Sequence, residues 1–248
     1  MRLLLTNDDG VDSPGILLLA SALREAGHRV FVVAPSFDAS GVSHSISFFM
    51  GSRKFAEIER DSYSFDGTPA DCVTVALRGA MPELSKAPPD AVISGINRGA
   101  NLGTDIVFSG TAAAARQGAF YGIPSLALSL VGTDWKTWNW DMAVAFVMER
   151  FGEMLSYWKP DSFVNVNIPN RKEQPLGLVR SFLSLRYYDD NIGVRQEPDG
   201  QTYCVAKLED VTARPDEGSD WMTVSKNCAS ISEVFIHPVL LEHVSMRR

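Results

Sequence analysis

The chain has 248 residues, 45% hydrophobic and 21% charged, the balance of an ordinary globular protein rather than a disordered or fibrous one. A formal charge of −7, from 23 basic and 30 acidic residues, offers no basic field to a nucleic-acid backbone, so no nucleic acid polymer is expected as a partner. Cys72, Cys204 and Cys228 are odd in number and lack CxxC spacing, which excludes a disulfide framework and a zinc site and points to a reducing compartment.

The start Met1-Arg2-Leu3-Leu4-Leu5 ends its apolar run at Thr6 and meets Asn7-Asp8-Asp9, too short and too acidic for a signal sequence. No later apolar stretch approaches the roughly 20 residues of a membrane helix. No membrane association is expected, and the expected location is cytoplasmic.

Arg2 to Thr6 reads as a short buried strand. Ile16, Leu19, Ala20, Leu23 and Ala26 then recur at helical spacing until Gly27, and Arg29 to Ala34 forms a second strand closed by Pro35. After this βαβ opening the pattern predicts a helix from about Pro69 to Arg78, a strand from Ala91 to Ser94 and a helix from about Thr111 to Tyr121. A strand from Ser125 to Leu130, a helix from Trp140 to Ser156 and a strand from Phe163 to Ile168 follow. Such alternation implies an α/β fold, a parallel sheet with helices on both faces.

Beyond Pro169 the alternation gives way to Gly, Pro and Asp punctuation, including Pro198-Asp199-Gly200 between two candidate strands. The expectation is one domain over 1–248, with 1–170 as its core and a β-rich appendage at about 180–228. Ala229 to Phe235 is free to return to the main body. The appendage has too few regularly spaced apolar residues for a core of its own, so pairing with another subunit is expected.

In an open parallel sheet ligands bind beyond the carboxyl ends of the strands, and three segments there carry candidate chemistry. Asp8 and Asp9 are adjacent carboxylates before Gly10; they repel each other unless a proton or cation lies between them, which suits Mg²⁺ or Mn²⁺. They equally suit a turn or a helix cap. Pro35 to Ser45 is dense in hydroxyls and small residues and could supply oxygen ligands or phosphate donors, with His44 the one histidine in a candidate segment; on the residues alone an ordinary polar loop and a merely hydrogen-bonding histidine are the better readings. Ser94 to Thr111 is long and rich in Gly and Asn, and enters a helix through Ser109-Gly110-Thr111, whose amides and dipole favour an anion. It is neither a P-loop nor a GxGxxG turn.

Together, NDDGVDSPG, PSFDASGVSHS and SGINRGANLGTDIVFSGTAAAA, joined by FDGTPADCVTVAL, resemble the SurE family of metal-dependent nucleoside monophosphate phosphatases over nearly all of Met1 to Leu130. A looser likeness continues in Gly218-Ser219-Asp220-Trp221 and Ile236-His237-Pro238. The resemblance implies a Rossmann-like core and hydrolysis of nucleoside 5′- and 3′-monophosphates, in some members also of short polyphosphate. It implies one divalent ion per subunit, Mg²⁺ or Mn²⁺, on Asp8, Asp9, Ser40 and Asn97, and a homodimer or homotetramer built by exchange of C-terminal segments. Two departures, Ala39 before the loop serine and Arg98 after Asn97, bear on substrate preference.

On this reading Asp8, Asp9 and Asn97 form the catalytic centre, where a divalent ion would neutralise a phosphate ester and acidify water. Ser109, Gly110 and Thr111, with Asn101 and Gly41, would bind phosphate, and His44 is a possible substrate contact. Rival readings fit less well. A receiver domain needs an acceptor Asp where the central strand has Ser94-Gly95-Ile96-Asn97, and an aspartyl-phosphate phosphatase needs a DxD pair. Trp135, Trp138 and Trp140 could form an interface, but large aromatics more often cover a core edge.

Overall fold

Leu3, Leu4 and Leu5 are all fully buried, as a parallel strand covered on both faces requires. They belong to β1 (Arg2–Thr6), followed by α1 (Pro14–Glu25) and β2 (Arg29–Pro35). Pro14 sits in the first turn of α1, where its missing N–H costs nothing, and Ile16, Leu19 and Leu23 form the buried stripe. The structure is a computed structural model and describes residues 1–132, 136–188, 190–208 and 211–238. Trp135 lies outside the described residues.

A hairpin, β3 (Phe55–Glu59) and β4 (Ser62–Phe65), comes next, then α2 (Pro69–Val75), which runs on in a wider turn through Ala80, and α3 (Pro82–Lys86). Thr68 and Asp71 cap α2 reciprocally. The chain continues through β5 (Ala91–Arg98), a short 3₁₀ turn at Gly103–Val107, α4 (Gly110–Phe120), β6 (Ser125–Val131), α5 (Trp140–Ser156) and β7 (Ser162–Pro169). The tail holds β8 (Leu178–Arg180), β9 (Arg186–Tyr187), β10 (Asp190–Gln196), β11 (Thr202–Leu208), β12 (Thr212–Ala213), α6 (Asp220–Ser225) and β13 (Ala229–Phe235).

Nine strands form one sheet in the order β3-β4-β2-β1-β5-β6-β7-β13-β8. From β4 to β7 every neighbouring pair is parallel, and numbering those strands along the chain gives the Rossmann order 3-2-1-4-5-6. Helices α1 and α5 cover one face, with Leu19, Leu23, Phe146 and Val147 against Leu3, Leu5 and Ile93. On the other face α2 and α4 pack Cys72, Val73 and Ala114 against Leu4 and Phe31. Trp138 and Trp140 stack on each other at 5.7 Å and pack on the edge of the first core.

The alternating α/β pattern and the return of Ala229–Phe235 are as the sequence implies: β13 pairs antiparallel with β7. Three features differ. The β3–β4 hairpin lies where no strand is predicted, because Glu57, Ile58 and Glu59 are exposed and show no buried periodicity. The tail, read as β-rich, includes the helix α6, begun by Ser219 accepting from the Met222 amide. And β5 runs through Arg98 instead of ending at Ser94, with its register against β6 shifting between Ser94 and Asn97. Gly95 makes this possible: its φ is +126°, and a Cβ there would lie 2.3 Å from the Leu128 carbonyl oxygen.

Candidate active site

The order reverses between β1 and β5, which opens a crevice beyond their carboxyl ends. Thr6 pairs with Ser94, so the segments after them emerge side by side. The Asn7 amide folds the first turn by donating to the Gly10 carbonyl and to Ser13 Oγ, both at 2.7 Å, and Gly10 takes φ +97°. The Ala39 amide donates to the Asp8 carbonyl at 2.8 Å, tying the loop after β2 to the same place.

Asp8 points inward and is 3% exposed. It accepts from the Thr111 amide at 2.9 Å and from the Thr111 hydroxyl. Burial pushes its pKa up to about 6, Thr111 opposes that rise, and the charge of Asp9 adds to it. Burial also raises Asp9, which is held by the Arg98 amide at 2.9 Å; the charge of Arg98 pulls it down again. The Asn97 carboxamide nitrogen donates to the Gly99 carbonyl at 3.2 Å, which leaves its oxygen outside that bond. Ser40 donates its amide and hydroxyl to Asp38 Oδ1, and its oxygen keeps lone pairs.

A cleft of about 670 Å³ is lined by Asp8, Asp9, Ser40, Gly41, Asn97, Asn101 and Ser109. Two carboxylates, a carboxamide and a hydroxyl are hard oxygen donors of the kind Mg²⁺ and Mn²⁺ take. Among the described residues no group of three or more His, Cys, Asp or Glu could hold a metal, so the neutral oxygens of Ser40 and Asn97 are needed to complete such a set.

Other expected site residues are placed differently. Thr111 is fully buried and spends its amide and hydroxyl on Asp8, so it positions a carboxylate instead of meeting phosphate. Gly110 leaves room for Asp8, whose Cβ would lie 2.8 Å from a Cβ at this position. Asn101 lines the cleft, but its amide nitrogen donates to Ser129 Oγ and its carbonyl accepts from Asn165 and Asn167, which anchors the loop to β6 and β7. His44 does not line the cleft. Its Nε2 faces Gln117 Oε1 at 2.8 Å, and because the Gln117 amide donates to Thr74, Nε2 carries the proton.

The cleft also contains residues that the sequence reading did not select, among them Asp105, Arg186 and Tyr188. Asp105 accepts from the Leu102 amide at 3.1 Å, from Arg186 and from the Tyr188 hydroxyl. Burial raises its pKa to about 6 against the pull of Arg186. The Arg186 guanidinium lies over the Trp221 ring at 5.1 Å. Asp220 accepts from the Gly103 amide at 2.7 Å and the Ser184 amide at 2.9 Å, clamping the central loop to the tail. Only the Leu102–Asp105 spacing carries a local signal; its partners are some eighty residues away.

The family model for the survival protein SurE matches residues 3–188. A protein of Xanthomonas axonopodis pv. citri named 5′-nucleotidase SurE is 41% identical over 204 residues, 82% of this chain and 77% of its own length. Another of that name, from Geotalea uraniireducens, is 39% identical over 238 residues, 95% and 93% of the two chains. The crystal structure of the SurE protein from Aquifex aeolicus superposes with a TM-score of 0.82 at 34% identity, covering 100% of this chain and 98% of that one. With the switch-point cleft and its paired aspartates, these similarities make the chain a member of the SurE family.

Proposed function

We propose that the chain is a 5′-nucleotidase that hydrolyses nucleoside 5′-monophosphates to nucleoside and phosphate, using one divalent ion, Mg²⁺ or Mn²⁺, held by Asp8, Asp9, Ser40 and Asn97. The observation that carries this is convergence: side chains from the ends of β1 and β5 and from the loop after β2 face one cleft at the switch point. Relatives named 5′-nucleotidase SurE, 39% and 41% identical, support the same reaction.

When bound, the ion supplies charge neutralisation for the phosphate and acidifies water. The protein's part is positioning. Thr111 fixes the Asp8 carboxylate and the Arg98 amide fixes Asp9, while Gly99 orients Asn97. Ser109 lines the cleft at the start of α4, where the positive end of the helix dipole favours the phosphate oxygens. Gly41 lets the backbone approach them. Asp9 serves as a ligand before it serves as a base.

The proposed range extends to 3′-monophosphates and short polyphosphate, in a homodimer or homotetramer. Support for association comes from the β10–β11 hairpin, a sheet of two strands that exposes Ile192, Val194, Tyr203 and Val205, because an isolated hairpin is marginal without a partner surface. Among the described residues no helix is long and apolar enough to cross a membrane. The free thiols of Cys72, Cys204 and Cys228 favour the cytoplasm. The test is turnover of 5′- and 3′-monophosphates and polyphosphate with Mg²⁺, with Mn²⁺ and with a chelator. Release of phosphate from 5′-monophosphates that the chelator abolishes is expected; release that the chelator leaves intact overturns the metal assignment.

A further inference from the structure

A second chamber, of about 430 Å³, adjoins the cleft and shares Asp9, Asp38 and Arg98 with it. Its far wall is the stacked pair Trp138 and Trp140, ring centroids 5.7 Å apart and planes 22° from parallel. Both rings are partly buried against the core, and both are fitted closely. A Cβ at Gly132 would lie 2.7 Å from the Trp138 ring, and one at Gly15 would lie 3.1 Å from the Trp140 ring. The aromatic surface is therefore held in place before any ligand arrives.

We propose that this chamber is the nucleobase subsite, in which the base of a bound nucleoside monophosphate stacks on the Trp138–Trp140 wall while its phosphate lies in the adjoining cleft. The inference rests on the nucleotidase reading of that cleft. The lining charges separate a base from a second phosphate: with Asp9 assigned to the ion, Asp12 and Asp38 stand against Arg98 alone, an excess of carboxylate that disfavours another anion and suits an uncharged ring bearing amino donors. Aromatic stacking tolerates every base and strengthens with ring area, so adenosine and guanosine monophosphates are preferred to the uridine compound. The two tryptophans are thus specificity-determining residues, while the metal-binding side chains act on any phosphomonoester.

The test compares adenosine 5′-monophosphate with ribose 5-phosphate, the same ester without a base, in the wild type and in Trp138→Leu and Trp140→Leu, which keep an apolar cover over the core edge. Calorimetric titration with adenosine measures base binding without chemistry. The expected result is that each variant loses about fivefold or more in kcat/KM for the nucleotide through KM, binds adenosine correspondingly more weakly and hydrolyses ribose 5-phosphate as the wild type does. Equal losses on both substrates, or nucleotide kinetics and adenosine binding unchanged in both variants, overturn the proposal. If the wild type hydrolyses neither ester, the nucleotidase reading fails separately, and the adenosine titrations still decide whether the chamber binds a base.

Discussion

Asp8 and Thr111 divide the labour of the cleft between a charge and the group that aims it. Asp8→Asn and Asp9→Asn each remove an anionic donor, so phosphate release should fall by about two orders of magnitude or more. In chelator the melting temperature of either variant should equal or exceed that of the parent, because a neutral side chain escapes the burial that raises both aspartates. Melting scans with and without metal check this; a loss of stability with activity retained would mean that the pair only shapes a turn. Thr111→Val keeps the shape but removes the hydroxyl donor to Asp8, a bond to a charged group worth about 1.5–3 kcal/mol. Metal affinity and kcat should drop while KM for the nucleotide holds; a rise in KM alone would return Thr111 to the phosphate.

His44 gives a pH signature. Burial lowers its pKa below the ordinary 6.5, so on acidification the unfolded chain takes up the proton first. The stability contributed by neutral His44 is present above its unfolded pKa and is lost as pH falls through the lower folded value. Wild type should therefore lose more melting temperature than His44→Gln between about pH 7 and pH 5. Parallel slopes would show that the ring does not titrate against folding.

At the level of elements, the N-terminus of α4 combines two functions in Ser109, which caps the helix through the Ala112 amide at 3.0 Å and lines the cleft. Ser109→Ala should cost about 1 kcal/mol through the lost cap. If the hydroxyl also meets phosphate, kcat should fall about tenfold or more in a protein that remains folded. Chemical denaturation and steady-state kinetics on one preparation separate the two effects.

The main helices and strands were legible because burial on one or both faces leaves a period: Leu3 to Leu5 and Val30 to Ala34 are continuous apolar runs, and α1 and α5 carry regular stripes. The β3–β4 hairpin left no such mark. The loop after Ser94 stood out by its glycines, but nothing in its composition indicates that β5 continues to Arg98, because that depends on packing against β6. Asp8 and Asp9 could be singled out since strand ends and carboxylate pairing are local, whereas Ser40 and Asn97 stood out only through the SurE resemblance. Asp105 with Arg186, and Trp138 beside Asp9, are juxtapositions made by topology, and no sequence window contains both partners.

Across the whole molecule, the β10–β11 hairpin predicts self-association, because it exposes apolar residues on both faces, Ile192 and Val194 on one and Tyr203 and Val205 on the other. Light scattering at micromolar concentration should give a mass two or four times that of one chain, and Val194→Lys with Val205→Lys should reduce it; a mass of one chain for the wild type would end that reading. The Asp220 clamp has a different consequence, in the order of synthesis. Every proposed metal ligand has been translated by Asn97 and the whole start of α4 by Thr111, yet the loop between them is pinned by a carboxylate that the ribosome adds more than a hundred residues later. A nascent chain halted before Ser219 would hold the complete donor set beside a loop still lacking its fastening at Gly103.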